Sequence, residues 1–171
     1  MAEDAEPPKV SLGRTGSGSI AAVVFALIDR GARLRPQHAR DLRGSVVLRF
    51  AEDYEAVQVD LRGDEILVSD ARDLDRANDL VLEGAFHDFA ALMGAPLTGG
   101  LPRPTSAVGR AALGRLADGR IEIEGPLRLA RGLLRLMSAL PEKQPSRRAK
   151  RTPSDAPAPS DGPAASDSAR P

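Results

Sequence analysis

The chain has 171 residues, 42% of them hydrophobic, with 24 basic and 24 acidic side chains and no formal net charge. Such a balance gives no whole-molecule field to attract nucleic acid or an acidic substrate. Cysteine is absent, which excludes disulfides, thiol catalysis and cysteine-ligated metal centres, and only His38 and His87 are available as imidazole ligands.

Residues 1–18 are rich in Pro, Gly, Ser and charge, lack an apolar period, and are expected to form an unstructured leader. Within it GRTGSGSIA can be parsed as an incomplete phosphate loop or as a dinucleotide fingerprint. Both need a preceding strand, the first also needs a lysine after its second glycine, and neither requirement is met. The stretch therefore reads as a linker ending at a helix, with Ser19 as N-cap. Ile20, Val23, Val24, Leu27 and Ile28 then fall on one helical face, with Gly31 as the expected stop. The apolar run over residues 20–28 is too short to span a bilayer, and acidic residues before it and a missing cleavage site argue against a signal peptide, so a cytoplasmic location is expected.

One more helical turn over residues 37–42 leads into strands at residues 44–52, 54–61 and 65–70, each rich in β-branched side chains. Their links are of hairpin length, which predicts antiparallel pairing. In the second, Val57, Val59 and Leu61 alternate with Gln58 and Asp60, giving one buried and one wet face. A fourth strand is expected at residues 79–84, then a helix carrying Phe86, Phe89, Ala90 and Met93 and stopped by Gly94. A loop over residues 95–104 precedes a helix at 105–117. Ile121 and Ile123 mark a fifth strand, and Leu129, Leu133, Leu136 and Leu140 line the apolar stripe of a last helix that begins near Pro126. Residues 141–171 have no hydrophobic spacing and are expected to be a disordered Pro, Ala, Ser and basic tail.

Candidate chemistry is sparse. His87 and Asp88 are adjacent, but no nucleophile signature accompanies them, and Asp88 suits the first turn of a helix for dipole reasons. Glu122 and Glu124 share the strand face opposite Ile121 and Ile123, as solvated charges do. Arg62, Gly63 and Asp64 spell a cell-adhesion tripeptide, yet turn chemistry accounts for them. No catalytic residue, metal ligand or cofactor emerges. The basic run Arg147, Arg148, Lys150 and Arg151 could touch an anionic membrane transiently; with 3% aromatic residues and no stacking platform, nucleic acid is not an expected partner. Three apolar helices on one face of a modest sheet leave two readings open, an ordinary packed core or a tunnel for an apolar ligand.

Two strings bear on that choice. DLVLEGAFHDFAALMGAPL (residues 79–97) resembles the strand and following helix of the sterol carrier protein 2 (SCP2) family, through Asp88, Phe89, Leu92 and Gly94. GRIEIEGPLRLARGLLRLM (residues 119–137) is similar to that family's penultimate segment and final helix, with Gly119, Arg120, Ile121, Ile123 and Gly125 in matching places. Pro126 stands where the family usually has Asp, and the 95–104 loop is longer. The resemblance spans about residues 20–140. It implies an α+β, SCP2-like fold: a five-stranded, mainly antiparallel sheet covered by helices on one face, with an apolar tunnel. It implies a non-catalytic lipid-binding domain over residues 19–140, for fatty acyl, sterol-like or isoprenoid-quinone ligands, and similar bacterial domains include accessory factors of quinone biosynthesis. Apolar period and family position together make Phe50, Val57, Val59, Phe86, Phe89, Met93, Leu133, Leu136 and Met137 the expected lipid-binding wall. The alternative is an interaction module of the same fold with a collapsed tunnel, docking a protein partner such as a biosynthetic enzyme.

Overall fold

The computed structural model describes residues 6–73 and 77–138. The basic run at 147–151, the tail and Leu140 lie outside them.

The β-branched segments form strands β2 (Arg43–Phe50), β3 (Val57–Arg62), β4 (Glu65–Asp70), β5 (Leu80–Gly84) and β8 (Ile121–Glu124), in the expected places. The sheet has six strands, however, in the order β1-β4-β3-β2-β5-β8, because Lys9–Leu12 forms an edge strand, β1, parallel to β4. The expected structureless leader is thereby corrected. Val10 lies opposite Ile66 and packs on the core, so four residues of period-two alternation are held by a partner more than fifty positions away. The β2–β3, β3–β4 and β5–β8 pairs are antiparallel, and β2–β5 is parallel, making a mixed sheet. The β2–β3 link is longer than expected. Phe50 still pairs with Gly84 of β5 after β2 has parted from β3, and Ala51 to Ala56 make the turn.

Register explains the one-sided core. Val68, Val59, Val46 and Leu80 lie side by side across four strands, and Val57, Leu48 and Leu82 form the next row. All are buried in one cluster. The opposite face carries Ser45, Asp60, Ser69, Glu83 and Glu122, with Val47 and its cross-strand partner Gln58 buried among them, the amide donating to Ser45 and Asp60.

Helices α1 (Ala21–Leu34), α2 (Pro36–Asp41), α3 (Phe86–Met93), α4 (Ala107–Ala117) and α5 (Leu127–Met137) complete the elements of the described residues, with a two-residue ladder β6 (Leu97–Thr98) and β7 (Leu101–Pro102) in the loop before α4. The turn of that ladder is Gly99 and Gly100, both with positive φ, as a tight hairpin requires. α1 packs on α5, β1 and β4, while α3 packs on α4 and α5. Ser19 does accept from the Ala21 amide at 3.0 Å, one step outside the expected cap geometry. Gly31 does not end α1. A side chain there would run into the Leu136 carbonyl, so this glycine lets α1 and α5 approach closely. No helix among the described residues is long and apolar enough to cross a membrane.

Candidate ligand cavity

Between α1, α3, α5 and the end of β2 lies an apolar cavity of about 20 Å³. α1 contributes Val23, Val24 and Leu27, one turn apart; β2 contributes Leu48 and Phe50, two apart and so on one face; α3 contributes Phe86, Phe89 and Met93; α5 contributes Met137. Phe50 is the centre of a ring cluster, with centroids 5.4 Å from Phe89, 6.1 Å from Phe86 and 6.4 Å from Tyr54. Three of the chain's five aromatic side chains thus line the cavity, with Tyr54 beside them in the ring cluster, and so do both methionines other than Met1. Methionine is unbranched and adaptable, and with aromatic rings it makes a wall that can repack around a guest. On the outer rim Val23 is 48% exposed.

The wall expected from the sequence divides in two. Phe50, Phe86, Phe89, Met93 and Met137 surround the cavity, whereas Val57 and Val59 are sealed within the sheet and Leu133 and Leu136 within the α5 packing layer. Val23, Val24, Leu27 and Leu48 were not anticipated as wall. The helical period of α1 and the alternation of Leu48 with Phe50 are the signals that carry them.

The start of α3 is satisfied from outside the helix: the Glu52 carboxylate accepts from the Phe86 amide at 2.9 and 3.1 Å. Asp88, 3% exposed, accepts from Arg115 Nε of α4 at 2.8 Å, with Arg120 at 4.0 Å and His87 at 3.4 Å. The His87 and Asp88 pair therefore belongs to an ion-pair hub. Glu122 and Glu124 are exposed. Gly63 has positive φ in the β3–β4 turn, and Asp64 lies 3.4 Å from Arg40. No group of carboxylates and histidines among the described residues could hold a metal ion.

Phe50 also borders a second, polar hollow of about 760 Å³, lined among others by Arg14, Arg49, Tyr54, Glu55, Asp70 and Arg72. The glycine-rich linker closes one side of it, and its donors are already used: the Gly16 amide donates to Asp70 at 2.5 Å and the Ser19 hydroxyl donates to the same carboxylate. Partial burial pushes the Asp70 carboxyl up, but the Ser19 and Gly16 hydrogen bonds and the Arg72 charge outweigh it, and the group titrates below its ordinary value. Glu55 is raised, by its hydrogen bond to Asp70 and by that neighbour's charge. β1 does supply the preceding strand that the nucleotide parses of the linker were expected to lack, so that ground falls; they fail instead because the linker's donors are taken by the Asp70 carboxylate and, for the phosphate loop, because Ser19 rather than a lysine follows Gly18.

What these elements define is an α+β domain with a one-sided helical cover and a closed apolar cavity beneath it. No family model matches the chain, and no curated protein matches it. Among solved structures it is similar to an SCP2-type ubiquinone synthesis protein designated UbiJ-SCP2 (TM-score 0.48, 12% identity, 70% of this chain and 85% of that one). It is also similar to apo sterol carrier protein 2 from Yarrowia lipolytica (0.46, 18%, 73% and 97%) and to sterol carrier protein domain 2 of Helicoverpa armigera (0.48, 15%, 77% and 99%).

Proposed function

We propose that this chain binds and carries an apolar lipid, a fatty acyl, sterol-like or isoprenoid-quinone molecule, between the sheet and helices α1, α3 and α5, without catalysing a reaction. The observation that carries this reading is the gathering of three phenylalanine rings and two methionines around a single cavity, in a core otherwise built mainly from Leu, Val, Ile and Ala. A core needing only to be filled is better specified by branched aliphatics, whereas adaptable side chains concentrated at one point suit a variable guest. The resemblance of residues 79–97 and 119–137 to the SCP2 family supports the same conclusion. Burial of apolar surface at about 25 cal/mol per Å² makes a long acyl or prenyl chain a sufficient ligand without a polar anchor.

At about 20 Å³ the cavity holds no lipid as it stands, so uptake requires the helices to part. This closed state is the observation that favours the second reading, an interaction module whose tunnel has collapsed around its own side chains. Native mass spectrometry of the full chain, with organic extraction of whatever travels with it, separates the two. Stoichiometric lipid is expected. A clean apo mass, unchanged after incubation with fatty acids, sterols and prenylquinones, overturns lipid carriage in favour of the interaction module.

A further inference from the structure

Charge is balanced over the whole chain but not over its surface. Arg128, Arg131 and Arg135 recur at i, i+3 and i+7 along the outward side of α5, opposite the Leu stripe that faces the core. They line a surface hollow of about 530 Å³ with His38 of α2 and Leu127, and the single carboxylate on that lining is Asp41. Of the row, the Arg131 guanidinium is positioned by a backbone carbonyl, and the Arg135 carbonyl in turn positions Arg35. Arg131 Nε donates to Gly99 O at 2.9 Å, and Arg35, from the end of α1, donates to Arg135 O at 3.0 Å. Among the described residues neither Arg128 nor Arg131 forms an ion pair. Large apolar side chains flank the row: Leu127, 55% exposed, at the start of α5, and Leu34, 60% exposed, next to Arg35.

The chain leaves α5 at the Arg135 end. Over residues 139–151 it adds Lys143, Arg147, Arg148, Lys150 and Arg151 against the single acid Glu142.

We propose that this face, the arginine row of α5 with Leu127 and the adjoining edge of α2, docks on an anionic phospholipid bilayer. The exposed Arg128 guanidinium meets a lipid phosphate through paired donors, the half-buried Arg131 and Arg135 add positive charge beside it, and the exposed Leu127 inserts among the acyl chains, a combination that neither a nucleic acid nor an acidic peptide requires. The docking stands on charge and exposure and does not require the cavity to open.

The test is co-sedimentation of the full chain with phosphatidylglycerol-rich vesicles and with pure phosphatidylcholine vesicles. Binding to the first alone, weakened by salt, is expected. The double substitution Arg128→Gln with Leu127→Gln changes two exposed side chains outside the core and should lower partitioning roughly fivefold or more, the effect of one lost cation plus one lost insertion. Neutralising Arg147, Arg148, Lys150 and Arg151 to Gln should leave residual binding that still responds to the α5 pair. Equal binding to both vesicles, no binding to either, or binding abolished by the tail substitutions and indifferent to the α5 pair overturns the proposal. Bound lipid in the same variants, read by native mass spectrometry, reports lipid carriage separately, so failure of one reading does not conceal failure of the other.

Discussion

Asp88 is buried against Arg115, and in the sequence it looked like nothing more than a helix-start acid. Its role depends on an arginine 27 positions further on, which no local pattern announces. Replacing Asp88 with Ala leaves that guanidinium, itself 30% exposed, without its charged acceptor. Partial solvation of Arg115 holds the expected loss to about 2 kcal/mol, below that of a fully buried pair. Urea unfolding should show it as a lower midpoint at unchanged slope, with Asp88→Asn milder because an acceptor remains. The Asp70 and Glu55 pair gives the pH dependence. Asp70 titrates below its ordinary 3.8 in the folded chain, so its contribution is complete above that value and is lost as pH falls through the lowered one. Glu55 titrates above its ordinary 4.5, so the fold favours its protonated form and is penalised once pH rises past the raised value. Glu55→Gln should therefore raise the melting temperature at neutral pH and do nothing in strong acid. Asp70→Asn should lower it at neutral pH and flatten the acid limb. A Glu55→Gln protein less stable than wild type at neutral pH would show that the carboxylate is held by contacts other than Asp70.

At the scale of elements, strands β2, β3, β4, β5 and β8 and the five helices of the described residues were legible, because β-branched alternation and the Leu, Ile and Phe periods are local signals. β1 was not legible. KVSL sits between a proline pair and a glycine-rich linker, and its stability comes from the edge of β4, a partner that composition cannot reveal. Removing residues 1–12 should expose that edge along with Ile66 and Val68, lowering the melting temperature and promoting oligomers visible by light scattering. A truncated chain that stays monomeric and equally stable would mean the strand is dispensable. Gly31 was misread for a related reason: the sequence shows a glycine but not whether a turn or a neighbour needs it. In an ordinary helix interior Gly→Ala stabilises by about 1 kcal/mol. Here the new methyl meets the Leu136 backbone, which has no rotamer to yield, so steric cost should win and Gly31→Ala should destabilise by about 1 to 3 kcal/mol. A gain in stability would mean that α1 and α5 are not packed this closely in solution.

For the molecule as a whole, the wall was only half legible, since alternation tells which face of a strand looks inward but not where along the sheet the helices stand apart. Val57 and Val59 face the core as expected, yet the cavity lies over Leu48 and Phe50, near the end of β2. That position decides which parts can move to admit a lipid. The sheet cannot widen there without breaking the β2–β3 and β2–β5 ladders, which carry Leu48 opposite both Val57 and Leu82. α3 is eight residues long, its first amide is held by Glu52 from a loop, and Asp88 ties it to α4, so α3 and α4 can shift together with their ion pair intact. α1 is fixed at its start by Ser19 and Asp70 and at Gly31 by α5, which leaves Val23 and Leu27 between two anchors. Opening should therefore part α3 from the middle of α1. Hydrogen exchange followed by mass spectrometry should accordingly show, on lipid binding, slower exchange in α1 and α3 and no change in β3 and β4, whose amides are already paired. Bound lipid with unchanged exchange in α1 and α3 would move the ligand out of this cavity, and the polar hollow that shares Phe50 with it would be the next place to look.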